Sequence, residues 1–272
     1  MIAIFDSGYG GLTIFSAVRK ALPAYDYIYL GDNARAPYGS RSFDVVYRFT
    51  LQAVTEMLRM GADLIILACN TASAKALRTI QQRDLPRLDP EGRRRVLGII
   101  RPSAEALGSC TATGKVGVMA TQGTVSSLSY TIEMSHLWPG VEVFQQACPM
   151  WVPLVENGEY DKPGADYFVE QYTRRLMTQC PAIDTVMLAC THYPLLAPKI
   201  AITLPRGVRL LSQGDIVARS LADYLSRHTE MEARLSRGGT ARFFTTESPE
   251  KFADTAGIFF SGRLDVAHTE IG

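Results

Sequence analysis

The sequence predicts an α/β fold with parallel sheets, organised as two similar halves. Short apolar runs alternate along the chain with longer amphipathic stretches, which is the pattern of strands joined by crossover helices. Two of the runs, 63–69 and 184–190, each begin with Asp, continue through an apolar segment and end in Ala-Cys. We interpret these two runs as equivalent strands of a duplicated unit.

Each strand is predicted from a short apolar run, and each helix from apolar residues that recur with helical periodicity. The expected strands are Ile2–Phe5, Tyr27–Leu30, Leu64–Ala68, Val96–Ile100, Val116–Met119, Val141–Gln145, Thr185–Ala189, Arg209–Leu211 and Ala241–Thr245. The expected helices include Leu12–Ala21, Ser42–Met60, Ala72–Arg83 and Ile216–Ser226.

A weak internal repeat supports the two halves, because the spacing from Asp6 to Cys69 resembles that from Thr121 to Cys190. The Pro- and Gly-containing stretch 85–95 is expected to cross from one half to the other, and 211–214 to return. We therefore predict a discontinuous first domain, residues 1–97 plus 212–272, and a second domain, residues 98–211.

Composition excludes several classes of function. The 272 residues carry a formal net charge of +1, so bulk charge indicates neither nucleic acid nor an anionic membrane as a partner. No apolar run reaches the roughly 18 residues of a membrane span, and the N terminus lacks a signal-peptide pattern. Five cysteines without Cys-x-x-Cys spacing argue against a disulfide framework or a zinc site. We expect a cytoplasmic protein with free thiols.

A glycine-rich segment, 6–11, follows the first strand and opens a helix. Its glycines let the backbone approach a ligand, and a helix N terminus favours an anion. It is not a dinucleotide fingerprint, because Thr13 occupies the third glycine position. A tight turn capped by Asp6 is the alternative.

The turn Pro37-Tyr38-Gly39 follows the second strand. A rigid turn of this kind can present backbone N–H groups and a phenol to a carboxylate.

Cys69, Asn70 and Thr71 lie between a strand and a helix. A thiol at a helix N terminus is expected to have a lowered pKa, and the Asn and Thr side chains can donate to a substrate. A buried structural cysteine is the alternative, although the polar neighbours are unusual for a core position.

Cys190, Thr191 and His192 repeat the arrangement and add an imidazole. The imidazole can hold a proton, donate to a carboxylate or favour the thiolate. Cys-x-His can also be part of a metal site, but no further ligands stand at metal spacing, so we expect no metal.

Further candidates are less distinctive. Thr121 and Thr124 also follow a strand, and their hydroxyls suit a carboxylate, while Glu156 is either an acid/base group or a surface carboxylate. The other residues of these types are interpreted as structural cysteines, Cys110 and Cys180, or surface histidines, His136, His228 and His268.

Taken in order, six motifs resemble the glutamate racemases of bacterial peptidoglycan synthesis, in the cofactor-independent aspartate/glutamate racemase family. They are Asp6–Gly11, Gly31–Asp32 with Pro37–Gly39, Ala68–Ser73, Val118–Thr124, Ala189–Leu196 and Ser212–Gly214. The chain departs from the family at Ala189, where Gly is usual, and at Arg101, where many members have Glu.

The resemblance implies a racemase with two α/β domains, the active site in the cleft between them, no cofactor and a homodimeric assembly. Cys190 would act on L-glutamate and Cys69 on D-glutamate, with Asp6 supporting Cys69 and His192 supporting Cys190, and Glu156 assisting. Inverting a stereocentre by proton exchange needs a base on one face and an acid on the other, which fits two thiols.

The substrate would be bound by residues that follow strand ends, which by resemblance are Ser7, Pro37, Tyr38, Gly39, Asn70, Thr71, Thr121, Thr124 and Thr191. The main alternative is an aspartate racemase or a related amino-acid racemase of the same fold. A non-catalytic binding protein would be expected to lack a thiol or a polar group, and a thiol redox protein is disfavoured by the missing Cys-x-x-Cys.

Overall fold

Two parallel β-sheets form the framework of the computed structural model, which describes residues 1–262 and 264–272. The strands are β1 Ile2–Asp6, β2 Tyr27–Gly31, β3 Leu64–Leu67, β4 Arg95–Gly98, β5 Lys115–Ala120, β6 Glu142–Ala147, β7 Thr185–Ala189, β8 Arg209–Ser212, β9 Ala241–Thr245 and β10 Val266–His268. The first sheet has the order β10-β9-β2-β1-β3-β4 and the second β6-β5-β7-β8.

Helices occupy the crossovers between the strands. They are α1 Leu12–Ala21, α2 Phe43–Arg59, α3 Asn70–Lys75, α4 Leu77–Thr79, α5 Leu85–Leu88, α6 Ile100–Cys110, α7 Gln122–Ser126, α8 Ser129–Leu137, α9 Trp151–Glu156, α10 Pro163–Gln179, α11 Ala197–Thr203, α12 Gln213–Arg227, α13 Thr229–Glu232 and α14 Pro249–Ala256. Short 3₁₀ turns at Asn33–Arg35 and Tyr193–Leu196 and a π turn at Ile80–Asp84 complete the helical segments.

The two sheets repeat one topology. Within each sheet, the first four strands in chain order are arranged 2-1-3-4: β2-β1-β3-β4 in the first and β6-β5-β7-β8 in the second. Asp6 ends β1 and Cys69 follows β3, while Thr121 follows β5 and Cys190 follows β7. The repeat that the sequence indicates is therefore present in the strand order, and the two cysteines hold equivalent positions.

The central strands are buried along their whole length because helices cover both faces of each sheet. In β1, Ile2 and Ile4 join the core cluster that contains α1, whereas Ala3 and Phe5 join the cluster that contains α2. The register pairs Asp6 with Gly31 on β2. The strands of each sheet thus end together, and the residues just beyond them converge at one edge.

Chain crossings differ in part from the prediction. The stretch 85–95 was expected to leave the first half, but it leads into β4, which pairs with β3 in the same sheet. The chain passes to the second sheet through α6 instead. Pro and Gly mark a turn here, with Gly92 at φ +63°, but a turn signal does not tell which sheet the next strand joins.

The return of the chain to the first sheet agrees closely with the prediction. After β8, α12 packs against α1, and β9 pairs with β2 over exactly the predicted residues. The domain limits themselves, 1–97 with 212–272 and 98–211, stay a prediction. Among the described helices, none combines the length and apolarity that a bilayer crossing requires.

Two elements were predicted wrongly. The expected continuous helix 72–83 is interrupted at Ala76, whose φ of −123° ends α3, and a short helix, a π turn and α5 follow. Apolar periodicity continues through the break, so the sequence does not reveal it. β10 was missed because it has three residues with an exposed Ala and His and so lacks an apolar run.

Candidate active site

The residues that follow the central strands of both sheets meet in one buried region. Cys69 is 6% exposed and Cys190 is 7% exposed, and Asp6 is fully buried. Thr191, next to Cys190, donates from Oγ1 to Asp6 Oδ1 over 3.4 Å. This hydrogen bond joins residues that follow the second sheet to residues of the first sheet. The two cysteines therefore flank one buried contact between the sheets, and their thiols are close enough to interact electrostatically.

Cys190 lies against an imidazole that is held from behind by a carboxylate. Cys190 Sγ is 3.9 Å from His192 Nδ1, and His192 Nε2 is 2.9 Å from Glu156 Oε1. Burial alone would lower the pKa of His192, but hydrogen bonds and charge interactions with Cys190 and Glu156 outweigh burial and raise the pKa to about 10. The raised pKa favours the imidazolium form of the ring, which lies beside the Cys190 sulfur.

Cys69 has the opposite electrostatic setting. Its Sγ lies 3.4 Å from Ser7 Oγ, to which it donates. Burial, followed by the nearby Asp6 carboxylate, raises the pKa of Cys69 to about 12. The lowered pKa expected from the helix N terminus is therefore wrong: the hydrogen bond from the Ala72 amide acts in that direction, but burial outweighs it. Cys69 is a protonated thiol at neutral pH.

Asp6 makes hydrogen bonds to the loop after β1 and to Thr191 of the opposite half, whereas it acts on Cys69 through its charge. Its Oδ2 accepts from the Gly8 amide over 3.1 Å, and burial raises its pKa against the lowering effect of His192. The helix cap considered from the sequence is not formed, because α1 begins after Gly11 and has no side-chain cap. The carboxyl group instead lies within electrostatic reach of both Cys69 and His192.

Three threonine hydroxyls form hydrogen bonds between residues that follow strands of the two sheets. Thr71 Oγ1 is 2.9 Å from Thr121 Oγ1, and Thr121 Oγ1 is 3.1 Å from Thr124 Oγ1. The Thr121 hydroxyl also accepts from the Thr124 amide, which caps α7. Nearby, the Gly123 amide donates to Gly39 O over 2.7 Å. A ligand between the thiols would therefore meet hydroxyls from both sheets.

Comparison with known proteins identifies the fold and the family. The family model described as Asp/Glu/Hydantoin racemase matches residues 12–221. The chain belongs to this family. A glutamate racemase of Geobacter metallireducens is 38% identical over 264 residues, which cover 97% of this chain and 93% of that protein.

Solved structures of racemases have the same architecture over the full chain. A glutamate racemase isoform from Bacillus anthracis superposes with a TM-score of 0.89 at 32% identity, covering 100% of this chain and 97% of that one. A glutamate racemase from Francisella tularensis, crystallised with D-glutamate, superposes with a TM-score of 0.86 at 26% identity, covering 99% and 97%. The two parallel-sheet α/β halves predicted from the sequence are thus the architecture of this racemase family.

In this racemase, the Pro37-Tyr38-Gly39 turn contributes differently from the expectation. Tyr38 is buried and its phenol donates to Asp32 Oδ2, which also accepts from Arg35 Nε over 2.7 Å. The phenol is therefore engaged within the first half and is not offered to a substrate carboxylate. The backbone of the turn remains close to the second half, since a methyl group on Gly39 would lie 2.9 Å from Thr121 Cβ.

Sequence reasoning also missed the partners of Asn70. The Asn70 side chain bonds to Gln213 and Tyr130, both buried and far away in sequence. Gln213 lies in the Ser212–Gly214 motif, which was a usable signal, whereas nothing in the sequence around Tyr130 indicates this contact.

All five cysteines are free thiols. Across residues 1–262 and 264–272, no group of His, Cys, Asp and Glu side chains has the arrangement of a metal site. The described side chains bring together two thiols, an imidazole and two carboxyl groups, a set of groups suited to proton transfer.

Proposed function

We propose that the chain is a glutamate racemase that interconverts L- and D-glutamate by proton transfer between Cα and two thiols, without a cofactor. The observation that carries this proposal is the pair of buried cysteines at equivalent strand ends, of which Cys190 faces an imidazolium and Cys69 is a neutral thiol. One base and one acid on opposite sides of a carbon atom are what inversion requires. The names of the full-length relatives support glutamate as the substrate.

In the forward direction, the Cys190 thiolate takes the α-proton of L-glutamate and the Cys69 thiol delivers its own proton to the opposite face. The product is D-glutamate, with Cys190 now a thiol and Cys69 a thiolate, and the reverse reaction restores the first state. His192, held by Glu156, balances the charge on Cys190, and Asp6 contributes the field around Cys69.

The carbanion formed at Cα needs fixed donors around its carboxylate and little water. The threonines on both sides of the site, Thr71, Thr121 and Thr191, supply hydroxyls, and burial of both thiols excludes solvent. The proposed substrate-binding set is Ser7, Pro37, Tyr38, Gly39, Asn70, Thr71, Thr121, Thr124 and Thr191, with Tyr38 acting through its backbone.

The proposed biological role is the supply of D-glutamate for peptidoglycan in the cytoplasm. The homodimer implied by the resemblance is part of the same proposal.

The test combines single cysteine variants with isotope exchange in D₂O. Cys69→Ala and Cys190→Ala are expected to lose racemisation, because each removes the group proposed to exchange the proton with Cα on one face. The wild-type enzyme should place solvent deuterium at Cα of the product from either enantiomer. Cys110→Ala and Cys180→Ala are controls, since both thiols lie outside the site and should leave turnover unchanged.

Near-wild-type turnover in both directions by either active-site variant would rule out the two-thiol mechanism. Substrate identity is decided by circular dichroism with L-glutamate and L-aspartate in parallel. Activity on aspartate alone would favour the aspartate racemase alternative.

A further inference from the structure

Asn70, the residue after Cys69, belongs to a buried hydrogen-bond network drawn from four helices. Asn70 bonds to Gln213 at the start of α12 and to Tyr130 in α8, and Gln213 bonds in turn to Ser103 in α6. All four side chains are at most 3% exposed. We call these residues, Asn70, Ser103, Tyr130 and Gln213, the amide network.

Asn70 and Gln213 form a reciprocal amide pair. Asn70 Nδ2 donates to Gln213 Oε1 over 2.7 Å, and Gln213 Nε2 donates to Asn70 Oδ1 over 3.2 Å. Tyr130 OH also donates to Asn70 Oδ1, over 2.8 Å. A side-chain amide has two acceptor lone pairs and two N–H donors. Both lone pairs and one N–H of Asn70 are therefore in use, and among the described residues the second N–H has no protein acceptor.

Ser103 sets the direction of the whole chain of bonds. Its only hydroxyl hydrogen is donated to Ile99 O over 2.6 Å, so its oxygen can only accept from Gln213 Nε2, 2.7 Å away. This fixes which end of the Gln213 amide carries the nitrogen. The reciprocal pair then fixes which end of the Asn70 amide does so, because a flipped Asn70 would bring two N–H groups together.

We propose that Gln213 and Tyr130 are positioning residues of the racemase reaction, which hold the Asn70 amide so that its remaining N–H faces the substrate rather than the protein. This inference rests on the proposed function. Neither residue touches the reacting atoms; both act through Asn70, which adjoins Cys69. The network also ties α3, which follows the first sheet, to α6 and α8, so the donor keeps its place relative to both thiols.

The decisive variant is Tyr130→Phe, which keeps the ring and removes the bond to Asn70 together with the bond accepted from Gln213 Nε2. Loss of a substrate-directed hydrogen bond corresponds to about tenfold in binding. We expect KM for both L- and D-glutamate to rise by about that factor, with kcat changed much less, as is typical when ground state and transition state lose the same contact. Gln213→Met should have a larger effect.

Tyr27→Phe is the matched control. Tyr27 is equally buried, and its hydroxyl donates to Leu22 O over 2.6 Å, but it lies outside the amide network. It should lower thermal stability about as much as Tyr130→Phe does while leaving KM within about twofold of the wild type. If the two Tyr→Phe variants have the same KM, the network is only structural and the proposal is wrong, whether or not Gln213→Met folds.

A double-mutant cycle tests whether Tyr130 acts through Asn70. In an Asn70→Ala background, Tyr130→Phe should cause no further change in kcat/KM, whereas an independent tenfold loss would contradict the proposal. Hydrogen exchange of the Asn70 side-chain amide, followed by ¹⁵N NMR, reads the network without turnover. Protection in the wild type that is lost in Tyr130→Phe supports the network even if glutamate is not racemised, which separates failure of this inference from failure of the proposed function.

Discussion

At the scale of single residues, the two thiols show how neighbours give one backbone position two chemistries. Both cysteines follow the third strand of an equivalent set of four. Cys190 adjoins an imidazolium backed by Glu156, while Cys69 adjoins the Asp6 carboxyl and the Ser7 hydroxyl. A positive neighbour favours the thiolate and a negative neighbour favours the thiol. The two thiols thus occupy opposite electrostatic settings at equivalent backbone positions.

Glu156→Gln tests the support behind His192. The hydrogen bond and charge of Glu156 help to raise the pKa of His192 against burial, which lowers it, so the neutral amide should bring this pKa down. We expect the alkaline limb of the kcat/KM profile for L-glutamate to move to lower pH, with a loss of about tenfold at pH 8. The measurement is a pH–rate profile.

Glu159→Gln is the matched control for that profile, because Glu159 is exposed in the turn just after α9 and, among the described residues, makes no hydrogen bond to the imidazole. An alkaline limb that stays in place in Glu156→Gln would show that this carboxylate does not set the protonation of His192.

The sequence identified the residues of the site, but it did not predict their protonation or their hydrogen-bond partners equally well. Strand ends and small polar neighbours pointed to both cysteines, Asp6 and His192, which the structure brings together. Burial could not be read from the sequence, and burial reverses the expected pKa shift of Cys69. Likewise, the engagement of the Tyr38 phenol by Asp32 depends on a tertiary contact that no local pattern encodes.

At the scale of elements, the loop between β1 and α1 packs closely against the second half of the site. A methyl group on Gly10 would lie 2.4 Å from Thr191 Oγ1 and 2.5 Å from His192 Nδ1. Thr13, which replaces the third glycine of a dinucleotide fingerprint, places its hydroxyl within hydrogen-bond distance of Gly10 O at 2.8 Å and Thr191 O at 3.1 Å, so that its one hydrogen is shared between them. The glycine at position 10 is therefore required by close approach to the second half.

Gly10→Ala should separate the strand ends without changing a polar group. We expect kcat/KM to fall by about a hundredfold in both directions, since displacements of about 1 Å at a reacting centre have effects of this size. Gly8→Ala is the control in the same loop, because its methyl group would lie 3.6 Å from Glu156 Oε1, an ordinary contact. Steady-state kinetics of the two variants decide the matter: equal activities would contradict a steric role for Gly10.

Most of the predicted elements agree with the structure to within one or two residues, and their errors have a common cause. β1, β7, β9 and α1 were predicted well because their apolar patterns match the burial that defines them. The break at Ala76 and the short edge strand β10 depend on packing and on pairing with a neighbouring strand. Local periodicity carries no information about either.

At the scale of the whole molecule, the site exists only where the two sheets meet. Asp6 and Cys69 come from the first sheet and Thr121 and Cys190 from the second, and hydrogen bonds such as Thr191 to Asp6 join them. Bringing these groups together buries Cys69 and His192 in protonated form. The stability of the folded chain is therefore linked to pH through the same residues that the proposed reaction uses.

The sign of this linkage is the same for both groups. His192 has a folded pKa of about 10 against 6.5 when unperturbed, so its contribution is fully present below pH 6.5 and is lost as pH rises towards 10. The Cys69 thiol has a folded pKa of about 12 against 9.0, so above pH 9 the unfolded chain ionises first and stability falls again. In both windows the folded state binds more protons than the unfolded state, and rising pH destabilises it.

We therefore expect the free energy of unfolding to decrease steadily from pH 7 to pH 10, with a slope of up to about 1.4 kcal/mol per pH unit for each linked proton. Urea unfolding at intervals of pH measures this slope directly. His192→Gln should flatten the part between pH 7 and 9, whereas His136→Gln, which changes an exposed histidine on α8, should keep the wild-type slope. The test compares slopes with pH, so an overall loss in the free energy of unfolding of a variant does not affect it. A wild-type slope in His192→Gln would mean that His192 does not carry an extra proton in the folded enzyme.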